Sequence, residues 1–97
     1  MKELLFQARL VDKLEDMFPG CVVLRNDPRH IQGVPDLTIL YGPYWGALEV
    51  KKSATAPMQP NQEYYVEHMN RMHFAAFIYP ENEEEVLLAL QHAFGVS

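Results

Sequence analysis

The sequence predicts a mixed α/β fold in which helices cover a mixed sheet in an α+β arrangement. Three observations support this prediction. The first residues place apolar side chains at helical spacing. Four short runs rich in β-branched and aromatic residues follow, each bounded by turn residues, and two of them are close enough to form a hairpin. Two more helical patterns flank the last of these runs. The predicted order is α-β-β-β-α-β with a C-terminal helix, in one domain spanning residues 1–97.

Residues 2–18 are expected to form the first helix, and its predicted apolar face consists of Leu4, Ala8, Val11, Leu14 and Phe18. Glu3 and Gln7 fall within the same arc. Polar residues on a buried face need a reason. Either the end of the helix is simply solvated, or this face supplies a carboxylate to a functional site.

Pro19-Gly20 predicts a turn, and residues 21–24 predict a short buried strand. A polar loop follows over residues 25–30. Its arginine and amide side chains are suited to phosphate contacts, although such loops are commonly only solvated. The candidates for such phosphate contacts are Arg25, Asn26 and Arg29.

Residues 36–41 and 45–51 predict two strands separated by three residues, which favours an antiparallel hairpin. In a hairpin the start of the first strand lies opposite the end of the second. Asp36 should therefore face Glu49 and Lys51, which share one face because side chains alternate along a strand. Two carboxylates are hard oxygen ligands suited to Mg²⁺, and a neighbouring lysine can orient a water or stabilise charge on a phosphate.

Pro60 is suited to the first position of a helix over residues 60–72. Gln62 lies in its first turn, on the inward side and close in sequence to Lys51. It is either an ordinary polar residue at a helix start or a site residue that bonds a phosphate or the attacking water.

Residues 74–79 predict a fully buried strand. Asn82 and Glu85 have the spacing of a capping box at the start of the last helix. Gly95 is expected to end that helix. Its predicted apolar face comprises Val86, Leu87, Leu90, Ala93 and Phe94.

Composition narrows the functional classes. The net charge of −5, from eight Lys and Arg against thirteen Asp and Glu, argues against a general nucleic-acid coat protein. No apolar run approaches a membrane span, and the first residues turn polar too soon for a signal peptide. With a single cysteine and no sign of export, a cytoplasmic, non-secreted protein is expected.

The chain resembles the PD-(D/E)XK nuclease superfamily, and within it a stand-alone VRR-NUC domain. The resemblance depends on Gly33-Val34-Pro35-Asp36, on Glu49-Val50-Lys51, on the downstream Gln62 and on the element order. It implies a restriction-endonuclease-like core and metal-dependent hydrolysis of DNA phosphodiesters.

The resemblance also implies roles for individual residues. Asp36 and Glu49 would bind Mg²⁺ or Mn²⁺ together with the Val50 backbone carbonyl, and Glu3 is a weaker match to a further carboxylate. Lys51 would orient the nucleophilic water, Gln62 matches a glutamine near the site, and Lys52 is expected to contact DNA.

Minimal free-standing relatives resemble Holliday-junction resolvases, form dimers and are often virus-encoded. The resemblance therefore implies branched DNA as substrate, a homodimer, and the cytoplasm of a bacterial or virus-infected host cell. Two alternatives stay open. One is a nuclease acting on flapped, nicked or duplex DNA with a partner protein. The other is a non-catalytic α/β interaction module whose Asp, Glu and Lys form a surface salt-bridge cluster.

Overall fold

The computed structural model describes residues 2–96, in which three helices surround a four-stranded mixed sheet. The predicted mixed α/β class and the order of elements are confirmed. Within the described residues, no helix is both long and apolar enough to cross a bilayer. The elements are α1 (Glu3–Met17), β1 (Val22–Arg25), β2 (Leu37–Tyr41), β3 (Tyr44–Val50), α2 (Gln62–Met72), β4 (Ala75–Ile78) and α3 (Glu83–Ala93).

The strands lie in the order β1-β2-β3-β4. β2 is antiparallel to both of its neighbours, β1 and β3, whereas β4 pairs in parallel with β3. A parallel pair needs a crossover connection, and α2 provides it. One sheet face packs on α1 and α3, and this main core includes Leu48 and Val50 of β3. The alternate residue Ala47 packs on the other face with Val66 of α2. Since Glu49 alternates with Leu48 and Val50, its side chain lies on the α2 face.

The apolar face predicted for α1 is wrong in part. Leu4 is 78% exposed and Ala8 is also exposed, although Leu14 and Phe18 are buried as predicted. Phe6 and Leu10 are buried instead, because they are the residues that face the sheet, and as a pair they bury more apolar area than Leu4 with Ala8 would. The helix is therefore rotated relative to the prediction.

The first strand was predicted to be buried, and this prediction is also wrong. β1 is an edge strand whose Val22 and Leu24 are exposed. They lie on the α2 face of the sheet, but α2 packs over β3 and β4 and leaves β1 uncovered.

The predicted hairpin is confirmed, with β2 and β3 antiparallel and Leu37 paired with Leu48. Its turn is shorter than the three residues expected, because Tyr44 joins the strand and pairs with Tyr41. Gly42 adopts φ +58° within the turn. One further step in register places Asp36 opposite Glu49, as the sequence predicted.

The start of α2 differs from the prediction, since the helix begins at Gln62 and Pro60 lies outside it. Asn61 precedes the helix in the left-handed region at φ +69°. Gly33 packs directly against this point with φ +91°, and a Cβ on Gly33 would lie 2.6 Å from Asn61 Cβ and 2.7 Å from Pro60 O. Only glycine allows the loop before Asp36 to approach α2 this closely.

The last helix has the predicted apolar face, with Val86, Leu87, Leu90 and Phe94 buried and Ala93 packed against them. Its predicted capping box is wrong. Asn82 Oδ1 accepts from the Tyr79 N–H at 2.8 Å and Asn82 Nδ2 donates to the Phe77 carbonyl at 3.1 Å, so this side chain closes the preceding 3-10 turn instead of pairing with Glu85. β4, which precedes this turn, is shorter than the predicted strand over residues 74–79 and is only partly buried. Gly95 follows α3 at φ +69°.

Candidate active site

The hairpin end and the start of α2 form one pocket of about 360 Å³ that gathers most of the predicted site residues. The hairpin of β2 and β3 brings Asp36, Glu49 and Lys51 to the same end of the sheet, and α2 adds Gln62. Glu3, at the start of α1, and the exposed Lys52 also line the pocket. Side chains from separate elements therefore meet here.

Glu49 is a buried carboxylate, only 2% exposed. Its Oε2 accepts a hydrogen bond from Gln62 Nε2 at 2.9 Å. Its Oε1 is buried and has no hydrogen-bond partner among residues 2–96. Burying a carboxylate oxygen without a partner is costly, so such an atom calls for an explanation, such as an ion that binds there.

Asp36 is held beside Glu49 by a backbone contact across the hairpin. Its Oδ2 accepts from the Val50 N–H at 3.0 Å. The Asp36 carboxylate therefore lies next to the Glu49–Val50 peptide, and the role of the Val50 carbonyl as a ligand stays a prediction.

Lys51 is 6% exposed, and its ammonium group is fixed by two hydrogen bonds. Nζ donates to Gln62 Oε1 at 2.5 Å and to the Pro57 carbonyl at 3.0 Å. Gln62 Oε1 accepts a second hydrogen bond, from the Gln59 N–H at 2.9 Å. Because both of these partners are donors, the amide nitrogen of Gln62 must face Glu49. Gln62 thus connects the Lys51 ammonium with the Glu49 carboxylate.

The pKa of Glu49 is raised to about 8. The main cause is burial, which disfavours the charged form. The nearby Asp36 carboxylate raises the pKa further through its negative charge, and the charge of Glu3 adds to this effect. Lys51 acts in the opposite direction but does not compensate. A carboxyl group in this state binds a cation with release of a proton near neutral pH.

The raised pKa predicts a pH-dependent stability in metal-free buffer. Folded Glu49 holds its proton up to about pH 8, whereas an unfolded glutamate ionises near its ordinary pKa of 4.5. The stabilisation is therefore complete below about pH 4.5 and is lost as the pH rises towards 8. We expect the free energy of unfolding, measured with urea in EDTA, to fall across this window by about 1 kcal/mol per pH unit relative to Glu49→Gln. A difference between the two proteins that does not change with pH would contradict the assignment.

The residues present fit a divalent cation. Asp36 and Glu49 are two adjacent carboxylates, and one buried oxygen of Glu49 has no hydrogen-bond partner among residues 2–96. Carboxylate oxygens are ligands that Mg²⁺ accepts. Within residues 2–96, no group of three or more His, Cys, Asp or Glu side chains is arranged to hold a metal ion. Glu3 is exposed and lines the same pocket, so its predicted role stays a prediction.

Most of the residues predicted to bind DNA lie outside the pocket. Arg25 is exposed at the end of β1. Asn26 Nδ2 donates to the Pro35 carbonyl at 2.8 Å and to Thr38 Oγ1 at 2.9 Å, which fixes the loop before Asp36. Arg29 is exposed and forms an ion pair with Asp27 at 3.0 Å. Of the four candidates, only Lys52 lines the pocket.

Two backbone groups that complete the site were not predicted from the sequence. The Pro57 carbonyl and the Gln59 N–H hold Lys51 and Gln62 in place. Both belong to a loop expected only to lie beside the site. Backbone groups carry no sequence signature, so their contacts could not be found from residue types.

The fold and the pocket together define a small mixed α/β protein with a carboxylate–lysine site at one end of its sheet. Comparison with protein-family models, with curated proteins and with solved structures finds no match.

Proposed function

We propose that this protein is a metal-dependent DNA endonuclease that hydrolyses phosphodiester bonds. One observation carries the proposal. The buried Glu49 carboxylate has one oxygen without a hydrogen-bond partner among the described residues, and it lies beside the Asp36 carboxylate and a fixed lysine ammonium group. A cation would satisfy both carboxylates, and a phosphate bound beside it would meet the lysine.

The carboxylates would hold the ion. Asp36 and Glu49 are the main ligands for Mg²⁺ or Mn²⁺, with the Val50 carbonyl and Glu3 as further candidates. A bound ion of this kind polarises a phosphoryl oxygen and lowers the pKa of water. The Val50 N–H keeps Asp36 in place, and Gln62 keeps Glu49 in place, so neither ligand has to reorganise.

Lys51 would act on the phosphate and on the attacking water. Two of its three N–H groups are used by Gln62 and Pro57, and no further acceptor occupies the third among the described residues. That N–H is available to a phosphate oxygen, where it would stabilise the negative charge that develops as water attacks phosphorus and the bond to the leaving sugar oxygen breaks. Gln62 positions both groups.

The proposed substrate is branched DNA such as a Holliday junction, in a cytoplasmic setting in a bacterial or virus-infected cell. The test is a cleavage assay on a four-way junction, a flap, a nicked duplex and an intact duplex of matched sequence, with and without Mn²⁺. Metal-dependent cleavage of the junction above the duplex is expected. Cleavage only of flapped or nicked DNA would favour the alternative of a nuclease that acts on those substrates. No cleavage of any substrate would overturn the proposed activity.

We also propose that the protein acts as a homodimer through the uncovered face of β1 and β2. Val22, Leu24 and Leu40 are exposed on this face, and Val22 and Leu40 are register partners. The edge of β1 presents unpaired backbone groups that a second copy can use. Sedimentation should therefore show a dimer at micromolar concentration, and Leu24→Lys should convert it to a monomer with an unchanged fold. A wild-type protein that sediments as a monomer would contradict the dimer.

A non-catalytic interaction module is the second candidate function. The same exposed apolar face and the net charge of −5 favour it. Calorimetric titration with Mn²⁺ separates the two, because a salt-bridge cluster without a metal role should bind no ion specifically.

A further inference from the structure

The loop over residues 52–60, which we call the rim loop, is anchored to the site at several points. The Pro57 carbonyl accepts from Lys51 Nζ, and the Gln59 N–H donates to Gln62 Oε1. Nearer the start of the loop, the Ala54 N–H donates to Glu81 Oε2 at 3.3 Å. Pro57 and Pro60 restrict the backbone further, since each fixes its own φ and limits the residue before it. The rim loop is therefore held at a fixed position beside the pocket.

Met58 lies at the rim of the pocket and is exposed. Its neighbours Pro57 and Gln59 both line the pocket, whereas the Met58 side chain is 53% exposed. Residues 54–60 contain no charged side chain. The one charged residue of the rim loop, Lys52, lies at its start, whereas a loop tip that only bound phosphates would be expected to present lysine or arginine as well. An uncharged, apolar tip is suited to contact with bases.

We propose that Met58 is a wedge that inserts into an opened base step next to the phosphate held in the pocket, and so makes the enzyme selective for branched DNA. This inference depends on the proposed nuclease function. Apolar side chains, methionine among them, enter DNA between base steps and kink the duplex at a cost in stacking. Methionine is flexible and polarizable, so it contacts base faces well.

The selectivity follows from the cost of unstacking. At a branch point the strands cross between helices and stacking is more easily broken than in a continuous duplex, so the contacts of Met58 with the bases are a net gain. In an intact duplex the same contacts are offset by the stacking that must be broken. Met58 should therefore favour branched over continuous DNA without taking part in the chemistry.

The test compares kcat/KM for a four-way junction and a continuous duplex of matched sequence in wild type and Met58→Ala. We expect the junction-to-duplex ratio to fall about tenfold, through slower junction cleavage. Met58→Leu should retain most of the ratio. Leu88→Ala is the matched control, because Leu88 is similarly exposed at 54% but lies on α3, outside the pocket lining.

A second measurement reports insertion directly. In a Lys51→Met background, in which cleavage should be slow enough for binding to be measured on uncut DNA, 2-aminopurine placed at the branch point should brighten on protein binding. Adding Met58→Ala should remove that change. An unchanged cleavage ratio together with unchanged fluorescence would overturn the wedge while leaving the nuclease proposal in place. Absence of wild-type cleavage on every substrate would instead overturn the proposed function.

Discussion

Asp36→Asn should abolish metal-dependent cleavage while leaving the protein folded. The asparagine side-chain oxygen can still accept the Val50 N–H, so the contact across the hairpin is retained. What is lost is one of two negative charges on a cation site. Removing a residue that hydrogen-bonds a metal ligand commonly lowers metal affinity or activity by about 10–100-fold. Loss of a direct ligand should therefore lower cleavage by more than about 100-fold.

Three measurements distinguish this outcome from unfolding. Calorimetry should show loss of Mn²⁺ binding, thermal unfolding should change little, and the pKa of Glu49 should move back towards its ordinary value because the charge of Asp36 is one of its causes. Asp16→Asn, at an exposed acid on α1, removes the same charge outside the pocket lining and should cleave normally. Wild-type cleavage by Asp36→Asn would disprove the ligand assignment.

The centre of this site could be predicted from the sequence because it is local. A short turn fixes the register of a hairpin, and the register alone brings Asp36 opposite Glu49. Alternation along β3 then places Lys51 on the same face as Glu49. The presence of Gln62 at the site could be predicted because it is close to Lys51 in sequence. Its hydrogen bonds to Lys51 Nζ and Glu49 Oε2 could not be predicted.

The errors concern burial, which depends on distant parts of the chain. On α1 both Leu4 and Phe6 are apolar, and only the position of the sheet decides which is buried. The apolar run of β1 resembles a central strand, but its place at the edge follows from the pairing of β3 with β4. The start of α2 was missed for a similar reason, since Asn61 takes its left-handed conformation where Gly33 packs against it.

The two oxygens of Glu49 explain how a cation could enter without disrupting the site. Oε2 is occupied by Gln62, whose other end holds Lys51. Oε1 is the oxygen without a partner among the described residues. An ion can therefore bind Glu49 through Oε1 while the chain of hydrogen bonds from Glu49 to Lys51 stays intact. Metal binding and lysine positioning are thus separable, and single substitutions can test them apart.

Lys51→Met is the substitution that makes this separation. Methionine keeps most of the buried aliphatic length and removes the ammonium group. Gln62 Oε1 keeps the Gln59 N–H as a donor, so the amide can still face Glu49. We expect cleavage to fall by about 10²–10⁴-fold, the usual range for a positioned proton-transfer or charge-stabilising group. Mn²⁺ affinity should be retained or rise slightly, because a positive charge near the carboxylates is lost.

The neighbouring residue gives a matched control. Lys52 also lines the pocket, but it is exposed and no hydrogen bond fixes it among residues 2–96. Lys52→Met removes the same charge one residue away, and we expect it to raise KM for DNA several-fold with little change in kcat, because an exposed phosphate contact contributes mainly to binding. If both lysine variants lowered kcat equally, the charge of the pocket rather than the fixed ammonium group would be responsible. If Lys51→Met instead lost Mn²⁺ binding together with cleavage, the lysine would be a structural support of the carboxylates, and its proposed action on the phosphate would be wrong.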